Sequence, residues 1–192
     1  MRDEVRADAL LASLEEEHKG KLKVFLGAAP GVGKTYAMLQ AVREQAKEGV
    51  DILIGVVETH GRQETLALLD KLAIQPRKLH HHRQQRLEEM DLDGLLERKP
   101  AIVVVDELAH TNAPGSRHEK RWQDVEELLG AGIDVYSTLN VQHLESLNDL
   151  VWQLTGVRVK ETLPDQVLLE ADSIVLIDLP PKELLGRLKE GK

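Results

Sequence analysis

The chain has 192 residues, 42% of them apolar and 30% charged, and its 25 Lys and Arg against 33 Asp and Glu give a formal net charge of -8. That length suits one domain with a sizeable core, and the acidic excess argues against a nucleic-acid partner. The absence of cysteine excludes a disulfide framework and a thiolate metal site and fits a reducing compartment. No apolar run approaches the roughly 18 residues of a membrane span, and the charged first twenty residues are unlike a signal peptide, so a cytoplasmic segment without direct membrane insertion is expected.

In chain order, residues 1–19, MRDEVRADALLASLEEEHK, predict an acidic amphipathic helix that serves as an accessory element or linker, and residues 20–192 a single domain. KVFLG (23–27) is the first expected strand. A glycine-rich turn follows, then a helix carrying Met38, Ala41, Val42 and Gln45 and stopping at Gly49. DILIGVVET (51–59), AIVVVDE (101–107), IDVYST (133–138) and SIVLID (173–178) are β-branched runs without polar alternation, as in strands buried on both faces. Leu144, Leu147, Leu150, Val151 and Leu154 recur at helical spacing up to Gly156, and PPKELLGRLKEGK reads as a last charged helix. Strands alternating with helices predict a doubly wound, mostly parallel α/β sheet with helices on both faces.

The turn after the first strand, GAAPGVGKT, follows the phosphate-cradling pattern G-x-x-x-x-G-K-[ST] except that Ala28 replaces its first glycine. Gly31 and Gly33 are the positions where backbone N–H groups must approach phosphates, and both are kept; Ala28 adds one methyl, and Pro30 fixes a dihedral. Ala28, Ala29, Pro30, Gly31, Val32, Gly33, Lys34 and Thr35 are thus expected to bind a nucleotide, as in P-loop NTPases. Lys34 would supply charge to the β and γ phosphates and Thr35 a hydroxyl to Mg²⁺. The bland alternative is a strand-to-helix turn that binds nothing.

Ile102 to Val105 deliver Asp106 and Glu107 to the carboxyl end of a buried strand, where ligands bind in open α/β sheets. Asp106 is expected to hold Mg²⁺ through water and Glu107 to polarise an attacking water. Other polar groups share that edge. Glu58, Thr59, His60 and Arg62 follow the second main strand, Glu58 being the rival to Glu107; Thr138, Asn140, Gln142 and His143 follow the fourth, Asn140 as a γ-phosphate sensor. For each, a cap or loop hydrogen bond is the alternative. The polar loop HTNAPGSRHEKR (110–121) is expected to be mobile and to close over a triphosphate with Arg117 as γ-phosphate contact, or else to be a solvated loop or partner surface. In RKLHHHRQQR (77–86), consecutive histidines on a strand point to opposite faces and cannot all hold one metal, so a solvated edge with no assigned role is expected.

The string VDELAHTNAPGSRHEKRWQDVEELLGAGIDVYSTLNVQHLESLND, with GAAPGVGKT and VVETHGRQET, resembles the amino-terminal cytoplasmic domain of the KdpD family of potassium-responsive sensor histidine kinases, from about Gly20 to the end of the chain. The resemblance implies a regulatory module that binds ATP and Mg²⁺ and precedes a universal-stress-like domain, membrane spans and a kinase core in a parent protein of the bacterial inner membrane. Its partners would be the nucleotide and those other domains. By matching motif, Ala28 to Thr35 are the phosphate loop and Asp106 with Glu107 the acidic strand end. No histidine box or Asn- and Gly-rich ATP lid of a kinase core is found here, so any turnover is expected to be slow. Three function classes stay open. They are a regulatory ATP-binding domain, favoured because one sheet uses nearly the whole chain; a working NTPase or phosphotransferase with its own substrate; and a partner-docking module with a vestigial loop, against which Lys34, Thr35, Asp106 and Glu107 speak.

Overall fold

The computed structural model describes residues 18–82 and 85–180, together with Glu183 and Gly186. The helices expected in residues 1–17 and from 181 onward lie outside the described residues, apart from those two positions.

The five apolar runs form five strands: β1 (Leu22–Gly27), β2 (Ile52–Val56), β6 (Ile102–Val105), β7 (Asp134–Asn140) and β8 (Ser173–Ile177). A two-residue strand, β3 (Ala73–Ile74), joins them in one sheet of order β3-β2-β6-β7-β1-β8, and every neighbouring pair is parallel. β-branched side chains fill both faces of such a pleated layer. Alternate residues accordingly enter two separate cores. Leu22, Val24, Leu53, Val103, Val105 and Val135 join one cluster, while Phe25, Ile52, Ile54, Ile102 and Val104 join the other.

Helices cover both faces. Helix α1 (Lys34–Lys47) buries Met38, Leu39 and Val42 against the second cluster, and its chain stops where Gly49 turns left-handed at φ 86°. The short α2 (Gln63–Leu68) lies on the same side, where Leu68 packs against that cluster. On the other face α3 (Leu92–Arg98) contributes Leu92 and Leu95, α4 (Arg121–Gly130) contributes Val125, Leu128 and Leu129, and α6 (Asp165–Leu169) contributes Val167. Each such side chain taken from water contributes about 1.5–3 kcal/mol.

Two elements differ from expectation. The histidine-rich stretch forms an antiparallel hairpin, β4 (Lys78–His82) with β5 (Gln85–Glu89), in a sheet of its own. The single helix expected from Leu144 is instead two 3₁₀ turns, Val141–His143 and Glu145–Leu147, followed by α5 (Asn148–Thr155). Leu144 interrupts the helix because it is extended and buried and bridges to Leu163, whose N–H donates to the His143 carbonyl at 2.9 Å. No helix among the described residues is long and apolar enough to cross a membrane.

Candidate functional site

Parallel strands place the turns after β1, β2, β6 and β7 along one edge of the sheet. There they line a cavity of about 670 Å³, within the range of small-molecule sites.

The turn after β1 is shaped by its glycines. Gly31 and Gly33 have φ of 84° and 99°, the left-handed region that glycine enters without steric cost. A Cβ on Gly27 would stand 2.6 Å from Cδ of Lys34, so this glycine lets the lysine stem cross the end of its own strand. Lys34 is buried, and its Nζ donates to the Ala29 carbonyl at 3.3 Å. Burial lowers its pKa; the Asp106 and Glu107 carboxylates act in the opposite sense, and the Arg62 charge adds to the lowering. Pro30, Gly31, Gly33, Lys34 and Thr35 line the cavity, whereas Val32 is buried and Ala28 and Ala29 do not line it.

Asp106, only 1% exposed, is the fixed point of the site. Its carboxylate accepts from the Thr35 hydroxyl at 3.1 Å, from the N–H of Glu58 at 3.1 Å, from the N–H of Glu107 at 3.2 Å, and from the Thr138 hydroxyl. Residues from all four strand ends thus meet at one side chain. The Glu107 N–H also donates to Thr138 Oγ1 at 3.0 Å, and the Asp106 carbonyl accepts from Arg121 Nη1 at 2.8 Å. These bonds on either side of the 106–107 peptide hold Glu107 at φ 58°, a conformation that costs a non-glycine residue about 1–3 kcal/mol.

The two acidic candidates differ in their ties. Glu58 is engaged by Arg77 Nη2 at 2.8 Å, and the same Arg77 nitrogen donates to the Val57 carbonyl. Among the described residues, the Glu107 carboxylate has one ion-pair contact, with His60 at 3.9 Å. Its pKa is raised, first by partial loss of water and then by Asp106, with Arg121 acting in the opposite sense. At the end of β7, Asn140 lines the cavity, and its Oδ1 is buried without a hydrogen-bond partner among the described residues.

Arg117 lies elsewhere. Its guanidinium pairs with Asp93 and Glu127 and does not line the cavity, so the structure does not bring it together with Lys34, Thr35 and Asp106. The 110–121 loop is joined to neighbouring elements by hydrogen bonds. The Thr111 N–H donates to Glu161 at 2.9 Å, the Ala113 N–H to Glu89 at 2.7 Å, and Asn112 Nδ2 to Asp124 at 2.7 Å. Such polar tethers leave no apolar signature in the sequence. Glu89 was not singled out in the sequence. It sits buried at the end of β5, where it holds His110 at 3.1 Å, the Ala113 amide, and Arg121 at 3.4 Å. Arg121, the last residue of that polar loop string, is 2% exposed and braces the Asp106 carbonyl. No local pattern marks either residue, since they are 32 positions apart.

A sequence pattern described as the osmosensitive K+ channel His kinase sensor domain matches residues 18–192. The chain is 58% identical over 185 residues to the sensor protein KdpD of Escherichia coli (strain K12), covering 96% of this chain and 21% of that protein. It is 50% identical over 173 residues to the sensor protein KdpD of Mycobacterium tuberculosis (strain H37Rv), covering 90% of this chain and 20% of that protein. The putative sensor protein KdpD of Synechocystis is 51% identical over 181 residues, which is 94% of this chain and 49% of that protein. A parallel α/β domain with these likenesses is a sensor domain of the histidine-kinase class. More narrowly, the chain belongs to the KdpD family, and it spans about a fifth of the length of the first two of these relatives.

Proposed function

We propose that this domain is the cytoplasmic Mg·ATP-binding regulatory domain of a membrane-bound two-component sensor histidine kinase that responds to potassium limitation or osmotic stress, and that its sheet is of the P-loop NTPase type. The observation that carries the proposal is the Thr35 hydroxyl set 3.1 Å from the Asp106 carboxylate, beside Lys34 in a turn of left-handed glycines. A hydroxyl and a carboxylate are hard oxygen donors suited to Mg²⁺, while backbone N–H groups and an ammonium suit phosphate. The residues present fit both groups. Gly27, Gly31 and Gly33 keep space and backbone geometry that side chains would remove, and the orphaned Asn140 amide lacks the partner that a magnesium-bound water, or a phosphate oxygen with the amide turned over, would supply.

Bound Mg²⁺ would neutralise phosphate charge. Lys34 then orients the phosphate chain, Thr35 and Asp106 hold the ion's oxygen shell, and Asn140 reads the γ position. Partners are the nucleotide and the other domains of the parent sensor. A second reading, a working NTPase or phosphotransferase, is favoured by Glu107, whose carboxyl has a raised proton affinity and, among the described residues, no ion pair closer than the loose His60 contact, as suits a general base. Glu58, held by Arg77, is the poorer base.

Calorimetric titration with ATP, with and without Mg²⁺, tests the proposal. Lys34→Ala is expected to weaken binding by about 1.5–3 kcal/mol; unchanged affinity would remove the phosphate-turn assignment. A turnover assay then separates the two readings. Glu107→Gln should abolish any hydrolysis while Mg·ATP still binds, and Glu58→Gln should matter less.

A further inference from the structure

The cavity is lined by two long cations, Lys34 and Arg62, on different walls. Lys34 belongs to the turn after β1. Arg62 ends the turn after β2, where its N–H donates to the Thr59 carbonyl at 3.0 Å across His60 and Gly61, both left-handed at φ 49° and 73°. Strand order sets the two walls apart, because β7 and β6 stand between β1 and β2, so three inter-strand spacings of about 4.8 Å separate their strand axes.

Cations near this cavity are otherwise engaged. Lys34 donates to Ala29, Arg77 pairs with Glu58 at 2.8 Å, and Arg121 holds the Asp106 carbonyl and Glu89. Among the described residues, the Arg62 side chain alone of the cavity's Lys and Arg has neither a hydrogen bond nor an ion pair, although Glu58 and Glu107 line the same space. Two cations directed into one cavity repel each other unless an anion lies between them. A guanidinium without a carboxylate is also free to form paired hydrogen bonds to phosphate oxygens.

We propose that Arg62 is the contact for the terminal phosphate of a bound triphosphate, and that it makes the cavity discriminate tri- from diphosphate. The proposal rests on the nucleotide reading above. A diphosphate held at the turn after β1 leaves the space in front of Arg62 open, whereas a third phosphate fills it and brings the two cationic walls together. The domain would then distinguish Mg·ATP from Mg·ADP through the turn after β2, with the 110–121 loop taking no part.

The test is calorimetric binding of Mg·ATP and Mg·ADP to the intact chain and its variants, with far-UV circular dichroism to verify folding. Arg62→Ala should weaken Mg·ATP by about 10- to 100-fold and Mg·ADP by less than about threefold. Arg62→Lys should recover only part of the triphosphate affinity, because charge is kept but the planar fork is lost. Equal weakening for both nucleotides, or unchanged Mg·ATP affinity, in folded Arg62→Ala would overturn the role of Arg62 while leaving nucleotide binding intact. No binding of either nucleotide by the unsubstituted chain would overturn both together.

Discussion

Two loops leave the same sheet edge and border the same cavity, yet they are held in opposite ways. The 110–121 loop is fastened by carboxylates from other elements: Glu89 from the hairpin, Asp124 and Glu127 from the adjoining α4, and Glu161 from the segment before α6. The turn after β2 is tied at its start, where the Glu58 N–H donates to Asp106 and Arg77 pairs with Glu58, but among the described residues its tip, 59–62, is held chiefly by the backbone bond from Arg62 to Thr59 and the loose His60–Glu107 contact. Both are polar and contain glycine. What separates them is whether their donors have found acceptors, which composition does not reveal.

The largest effect should come from removing the anchor of the first loop. Glu89→Ala leaves the buried Arg121 charge uncompensated and frees the Ala113 amide, for an expected loss of about 3–5 kcal/mol in urea unfolding. A loss below about 1 kcal/mol would show that the loop is held by something else.

The same carboxylate gives that contrast a pH dependence. Burial works to raise the Glu89 pKa, but the hydrogen bond from His110, the Ala113 amide and the Arg121 charge more than offset it, leaving it lowered. A carboxyl lowered on folding stabilises in full above its unfolded pKa of about 4.3, and that contribution disappears as pH falls through the lower folded value. Stability should therefore fall on acidification below about pH 4, and less steeply in Glu89→Gln. Parallel pH profiles for the two proteins would remove Glu89 as the cause.

Hydrogen exchange sharpens the comparison without mutation. The amides of Thr111, Asn112 and Ala113 are all donated within the protein, whereas those of His60 and Gly61 have no acceptor among the described residues. Exchange in ligand-free protein should be slower by about tenfold or more in the first set. Equal rates would dissolve the distinction between the loops.

The smallest effect belongs to Arg117→Ala. Its pairs with Asp93 and Glu127 are partly solvated, so the change should cost no more than about 1 kcal/mol and leave Mg·ATP affinity unaltered. A tenfold drop in affinity would restore Arg117 to the site.

Five strands, α1, and the meeting of Thr35 with Asp106 were legible because each rests on a local pattern: an apolar run, a helical stripe stopped by glycine, or a glycine turn followed by an acidic strand end. The hairpin was not legible, since KLHHH and QRLEE offer almost no apolar alternation and pair mainly with each other. Nor was the break at Leu144, where spacing fits a helix but burial against Leu163, 19 residues on, takes precedence. Glu89 and Arg121 became visible only when the sheet brought them together. A long-range ion pair leaves no mark in either segment that forms it.

The place of β1 also has a consequence for synthesis. It leaves the ribosome early, but its neighbours on both sides come last, Leu22 pairing with Val135 and Lys23 with Ser173. At translation speeds of about 5–20 residues per second, the turn carrying Lys34 waits on the order of ten seconds before β7 and β8 exist to hold its strand. During that interval β2 and β6 can pair with each other, but the nascent chain has not yet formed the cavity at the strand ends. Cotranslational binding of ATP is therefore an unavailable route to folding for this domain, and a message truncated before β7 yields a chain whose most conspicuous motif has no sheet to stand on.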